Sequence, residues 1–280
     1  MKQNIRIFLC YAPALLVSLM FGLLSWPAQA EALPGASKPI DLATAVSMAG
    51  RQRMLTQRMV KAYLMLGQGI TPDNAQTILQ TSIDQFESQL ASLKSLQPDH
   101  NVQTSLKNLE SDWKKFKPLI TATPSEKGAA ILYEANEELQ KVAHKLTLAY
   151  DSTSISPHVH LINLAGRQRM LTQRTAKHYL YRTWGLYKEA ADMEIHLSRA
   201  HFTTVLLQLE NSPYASKQIS ELATQIRSDW EPYKQALLAT RDPAKMRDYA
   251  QGVCELSEQL LAKTEQLVTL VVLQAQQKPN

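Results

Sequence analysis

The sequence predicts an all-α protein made of two tandem antiparallel four-helix bundles, side by side as a pseudo-dimer. Three observations predict it. Glycine is scarce, 9 in 280 residues, while Gln, Leu, Ala, Lys and Glu abound, the composition of a chain of good helix formers. Breaking residues recur at intervals that cut the chain into segments of roughly 20–30 residues, a length that suits an up-and-down bundle. Ten residues, Ala49 to Arg58 (AGRQRMLTQR), return unchanged at Ala165 to Arg174, which marks an internal duplication.

Residues 1–30 read as a leader rather than as part of a bundle. Lys2 and Arg6 form a basic start, Ile7 to Leu24 is apolar, and Ala28-Gln29-Ala30 after Pro27 is a small-x-small cleavage site, the pattern of a secretory signal peptide. Cys10 sits at the start of the apolar run, which does not suit a lipoprotein anchor. Removing the leader lowers the net charge from +5 to +3. With no long Lys/Arg block, a nucleic-acid partner is not predicted. Cys254 is then the one remaining cysteine, so no intramolecular disulfide is expected. No second apolar segment of about twenty residues follows, and the mature protein is expected to be soluble and periplasmic.

The first unit is placed at 38–154 and the second at 155–277. Pro39 precedes the first helix; Gly67, Gly69 and Pro72 end it and open the second; Pro98-Asp99 ends the second; Thr123-Pro124-Ser125 separates the third from the fourth. The second unit repeats the plan, with breaks near Gly185, Asn211-Ser212-Pro213 and Arg241-Asp242-Pro243. Leu79, Ile83, Phe86, Leu90 and Leu93 form a helical stripe in the second helix, as do Leu256, Leu260, Leu261, Leu267 and Leu270 in the eighth. Ser111-Asp112-Trp113 returns as Ser228-Asp229-Trp230, so whole units were duplicated, and both tryptophans are expected as core anchors. An even number of antiparallel helices brings the chain back to its starting end. The short link Asp151 to Pro157, with Ser156 as N-cap and Pro157 in the first turn, then lets helices one and five face each other. The rival arrangement is one long helix joining the units end to end.

The repeat carries three arginines per copy, Arg51, Arg53 and Arg58, then Arg167, Arg169 and Arg174. At 100° per residue, Gly50, Arg53, Gln57 and Lys61 fall within a sector of about 80°, as do Gly166, Arg169, Gln173 and Lys177. Arg51 and Arg58 share another face. The glycines let two backbones approach, and Arg53 and Arg169 could converge on one trigonal oxyanion, each giving two hydrogen bonds, with Gln57 and Gln173 as neutral donors. Two guanidiniums about 5 Å apart repel by roughly 3 kcal/mol at an effective dielectric of about 20, a repulsion that an anion between them would reverse. The competing reading makes the arginines structural, paired with acids of neighbouring helices or of a partner protein.

The pattern Ala-Gly-x-x-Arg-Met-x-x-x-Arg, at Ala49 to Arg58 and Ala165 to Arg174, resembles the type IV pili methyl-accepting chemotaxis transducer N-terminal (PilJ-type) domain. It is similar also to the periplasmic sensor domain of nitrate/nitrite sensor histidine kinases. The resemblance implies a periplasmic four-helix sensor bundle with the motif on its first helix. It implies nitrate or nitrite held between equivalent arginines of two subunits, here Arg53 and Arg169 of one chain. Arg58 and Arg174 match the second family arginine and, with Arg51 and Arg167, are assigned a supporting role. The family sensors have flanking transmembrane helices and a signalling domain, which this sequence does not display. The partner implied is therefore a membrane-bound sensor kinase, chemoreceptor or transporter, with the chain acting as an internal pseudo-dimer or as a homodimer.

Other constellations point nowhere specific. His158, His160, His178, His196, His201 and Cys254 offer no familiar metal spacing, so neither metal nor cofactor is predicted. No nucleophile elbow, zincin motif, P-loop or C-x-x-C occurs, so no enzyme is predicted. Glu137 and Glu138 read as a solvated helix face, and Tyr179, Tyr181, Trp184 and Tyr187 as bundle packing.

Overall fold

Helix ends in this chain are set by its breaking and capping residues. In the computed structural model, which describes residues 40–96 and 99–277, eight helices follow one another. They are α1 (Leu42–Gly67), α2 (Pro72–Ser95), α3 (His100–Ile120), α4 (Glu126–Asp151), α5 (Pro157–Thr183), α6 (Lys188–Glu210), α7 (Lys217–Leu238) and α8 (Pro243–Gln277). No strand occurs among the described residues, and the fold is all-α. The expected leader and its cleavage site, Pro39 and Pro98 lie outside the described residues.

Asp41, Asp99, Ser125 and Ser216 cap α1, α3, α4 and α7 by accepting a hydrogen bond from a first-turn N–H. Pro157 opens α5, but the Ser156 hydroxyl makes no capping bond. The turn after α1 is built again after α5. Gly69 (φ 69°) and Gly185 (φ 77°) take the left-handed conformation, as do Thr71 (φ 40°) and Tyr187 (φ 52°) two residues later. Glycine adopts that conformation without the Cβ clash other residues meet.

α1 packs against α2 and α4, and α3 against α4; α5 packs against α6 and α8, and α7 against α8. α1 and α5 also pack along each other. They run parallel and in register. Arg169 on α5 donates to the Ser47 carbonyl (2.9 Å) at one end. At the other, Gln68 donates to the Leu180 carbonyl (3.0 Å) and accepts from Thr183 (2.7 Å). Since α4 ends at Asp151 and α5 begins at Pro157, the units are not joined by one long helix.

The pairing explains why α1 and α5 are buried nearly all round, 18 of 26 and 21 of 27 residues, against 8 of 24 in the one-sided α2. The apolar side chains of both units form one continuous core. Trp113 and Trp230 sit in it as anchors, their rings 4.3 Å from Phe86 and 4.0 Å from Phe202. The aromatic group at the end of α5 is packing too: Tyr179 and Tyr181 are buried, and Tyr187 stacks on Tyr133 at 3.8 Å. Among the described residues no helix is long and apolar enough to cross a membrane.

Candidate functional site

The sector that the helical wheel gathers on α1 is the face turned to α5, and the matching sector of α5 faces back. Gly50, Arg53, Gln57 and Lys61 are buried, as are Gly166, Arg169, Gln173 and Lys177; Arg53 and Arg169 are 1% and 0% exposed. Long helical side chains run back toward the N-terminus, so each guanidinium lies beside the glycine one turn earlier. A Cβ on Gly50 would stand 3.3 Å from Nη2 of Arg53 and 3.5 Å from Nη2 of Arg169; on Gly166 the same two atoms would stand 3.6 and 3.3 Å away. The two charges therefore share one small space beside the two glycines.

Each guanidinium reaches across the interface to a backbone carbonyl. Arg53 Nη2 donates to Asn163 O (3.3 Å) and Arg169 Nη2 to Ser47 O (2.9 Å). The glutamines take other partners. Gln57 donates to Thr56 Oγ1 (3.2 Å) and Gln173 to the Ser257 carbonyl (3.0 Å); neither bonds to an arginine. The structure thus brings Gly50, Arg53, Gly166 and Arg169 together and gives Gln57 and Gln173 other partners.

Three of the four supporting arginines are engaged by carboxylates. Arg51 pairs with Glu265, Arg58 with Glu258 at 2.6 Å, and Arg174 with Glu137 at 2.8 Å and Glu194 at 2.9 Å. Arg167, half-buried, has no carboxylate partner among the described residues. Glu138 is solvated as expected, its side chain 71% exposed, but Glu137 is not a solvated residue. Its carboxylate accepts from the buried Lys177 (2.8 Å) as well as from Arg174. Burial pushes the Glu137 carboxyl up, but Lys177 and Arg174 outweigh it and hold it near 2. Glu258 does the same for Lys61 and Arg58 and is likewise held near 2.

Two residues that the sequence did not single out complete the site. Glu265 on α8 accepts from Arg169 Nη1 (3.0 Å) and pairs with Arg51. Burial raises its carboxyl, yet Arg169 and Arg51 prevail and keep it below the usual range. His144 on α4 stands 3.2 Å through Nδ1 from Arg53 Nη1. Burial, then Arg53 and Arg167, hold this imidazole down near 4, so it is neutral at neutral pH and its Nδ1 accepts. Arg53 is drawn down to about 9 by burial and then by Arg167 and Arg169, with Asp151 opposing; it stays charged at pH 7. The one available signal was spacing. Asn136-Glu137 and Ser257-Glu258 hold the same places against Lys177 and Lys61, and seven residues later stand His144 and Glu265.

Among the described residues no group of three His, Cys, Asp or Glu is placed to hold a metal ion. The arrangement is suited to holding an anion: fixed cationic donors meet at a helix interface. No curated protein and no solved structure matches the chain. A family model described as type IV pili methyl-accepting chemotaxis transducer N-term (PilJ) matches residues 41–139 and again 152–253. Those two segments span more than half of the sequence, each taking in one copy of the arginine motif, and the chain therefore belongs to the PilJ family, with the domain present twice in tandem.

Proposed function

We propose that this protein is a periplasmic sensor-type module that binds a small oxyanion, nitrate or nitrite, between Arg53 and Arg169. It would relay the binding to a membrane-bound sensor kinase, chemoreceptor or transporter. The observation that carries the reading is the convergence of two buried guanidiniums over Gly50 and Gly166, where the duplicated helices meet. Planar forks can each give two hydrogen bonds to a small oxyanion, a geometry that spherical chloride does not match. An anion there also offsets the repulsion between two like charges in a space of low dielectric. Its binding energy then bears on the fit of α1 against α5, the contact that joins the two repeats.

A second reading has its own support. Arg51, Arg58, Arg169 and Arg174 are all paired with carboxylates of other helices, as in an interaction module whose motif only holds the fold together. Thermal unfolding in nitrate, nitrite, chloride and sulfate at equal ionic strength separates the two. A ligand present at 100 times its Kd adds about 2.7 kcal/mol of stability, so nitrate or nitrite should raise the midpoint well beyond chloride, and Arg53→Gln should remove most of that rise. Equal shifts in all four salts would leave the structural reading standing.

A further inference from the structure

The two halves of the site occupy matching places but are not chemically alike. α1 and α5 match residue for residue through the repeat, Ser47 with Asn163 and Arg53 with Arg169. α4 and α8 match through the partners of the buried lysines: Lys61 donates to Ser257 and Glu258, Lys177 to Asn136 and Glu137. By that register His144 and Glu265 are counterparts, and each indeed faces an arginine of the pair. Where one half has a carboxylate, the other has a neutral imidazole.

The arginines differ accordingly. Arg169 bonds to the Glu265 carboxylate at 3.0 Å and to a carbonyl at 2.9 Å, ordinary charge-assisted lengths. Arg53 has only neutral partners, His144 at 3.2 Å, Asn163 O at 3.3 Å and Gly50 O at 3.5 Å, all at the long end of hydrogen bonding. Arg51 shares Glu265 with Arg169, while its counterpart Arg167 has no such partner among the described residues. Asp151, the acid acting on Arg53 from a distance, is already bonded to His160 (2.7 Å) and Asn163 (2.9 Å). A buried cation left without an anion is costly, and a group that supplies the missing charge is bound strongly.

We propose that the pseudo-symmetric site has divided its labour: Glu265 is a built-in anion for Arg169 and Arg51, and a single external anion binds per chain, on the side of Arg53, Arg167 and His144. This rests on the oxyanion reading above and sharpens it. Glu265 serves its own half with one carboxylate oxygen, Oε2, shared by Arg169 and Arg51, so the ligand class for the other half is a small monoanion that offers an acceptor oxygen in the same way, whether nitrate, nitrite or a small carboxylate.

Titration calorimetry of the whole chain with nitrate and with formate, against chloride, tests it. The wild type should bind one anion per chain, and the stronger of the two probes tells an inorganic oxyanion from a carboxylate. His144→Glu installs in this half what Glu265 supplies in the other. It should weaken binding roughly tenfold or more, as when one charge-assisted partner is pre-empted, and weaken it clearly more than the neutral His144→Gln, which removes the imidazole without adding a charge. Should His144→Glu fail to fold, Glu265→Gln serves instead, since freeing Arg169 and Arg51 from their built-in anion should tighten binding of the external one several-fold. Two anions per wild-type chain, undiminished binding in His144→Glu, or unchanged or weaker binding in Glu265→Gln would each overturn the division. If neither probe binds the wild type better than chloride, it is the oxyanion reading itself that fails.

Discussion

His144 makes the site responsive to acid. Its folded-state value near 4 lies below the ordinary 6.5, so the folded protein binds fewer protons than the unfolded chain between those values. The sign follows from linkage: stability from this residue is fully present above about pH 6.5 and is lost as pH falls through about 4. An anion beside the imidazole favours its protonation, so the midpoint rise caused by nitrate should grow as pH falls from 6.5 toward 4. Melting curves across that range, with and without nitrate, should show this growth in the wild type and not in His144→Gln; a pH-independent rise in both would exclude His144 from the site. Gly50→Ala tests the same space from the other side. Its Cβ would press on Arg53 Nη2 at 3.3 Å and merely touch Arg169 Nη2 at 3.5 Å, and the Arg53 end can shift, while alanine gains up to about 1 kcal/mol of helix propensity. Stability without anion should therefore hold or rise and the nitrate response should fall. At this scale the helical wheel sufficed to separate Arg53 and Arg169 from the other four arginines. It could not find His144 or Glu265, because these lie on α4 and α8 and meet the motif only through tertiary register.

Among elements, the connection between repeats is electrostatic as well as apolar. Glu258 on α8 holds Lys61 and Arg58 of α1, and Glu137 on α4 holds Lys177 and Arg174 of α5, so the last helix of each unit serves the first helix of the other. Lys61 and Lys177 are fully buried, and removing a carboxylate leaves a buried cation unmatched. Glu258→Ala and Glu137→Ala should each cost about 3 kcal/mol in urea unfolding; a loss below about 0.5 kcal/mol, the size for a surface pair, would show these contacts to be incidental. Helix limits were legible because the breakers carry local physics. Asp41, Asp99, Ser125 and Ser216 cap where an oxygen is needed, and Pro157 opens α5. Glu137 was not legible, since an acid on a polar face looks solvated until a lysine from another helix is laid against it.

For the molecule as a whole, the merging of two bundles along α1 and α5 decides how it unfolds and how a signal could travel. A unit taken alone would expose the interface face of its first helix and strip Lys61 from Glu258 or Lys177 from Glu137. Independent folding of the halves is therefore disfavoured, and the described chain should unfold as one cooperative unit. Trp113 and Trp230 sit in the cores of the first and second repeats, so each reports on its own half once the other tryptophans are replaced by phenylalanine. Their denaturation midpoints should coincide, and nitrate should move both by the same amount although it touches neither ring. Separate midpoints, or a shift confined to one half, would mean that the α1–α5 contact does not couple the repeats. Coincident shifts would mean that an event among Arg53, His144 and Glu265 is felt through the whole eight-helix body, which is what a module that informs a partner through its outer helices requires.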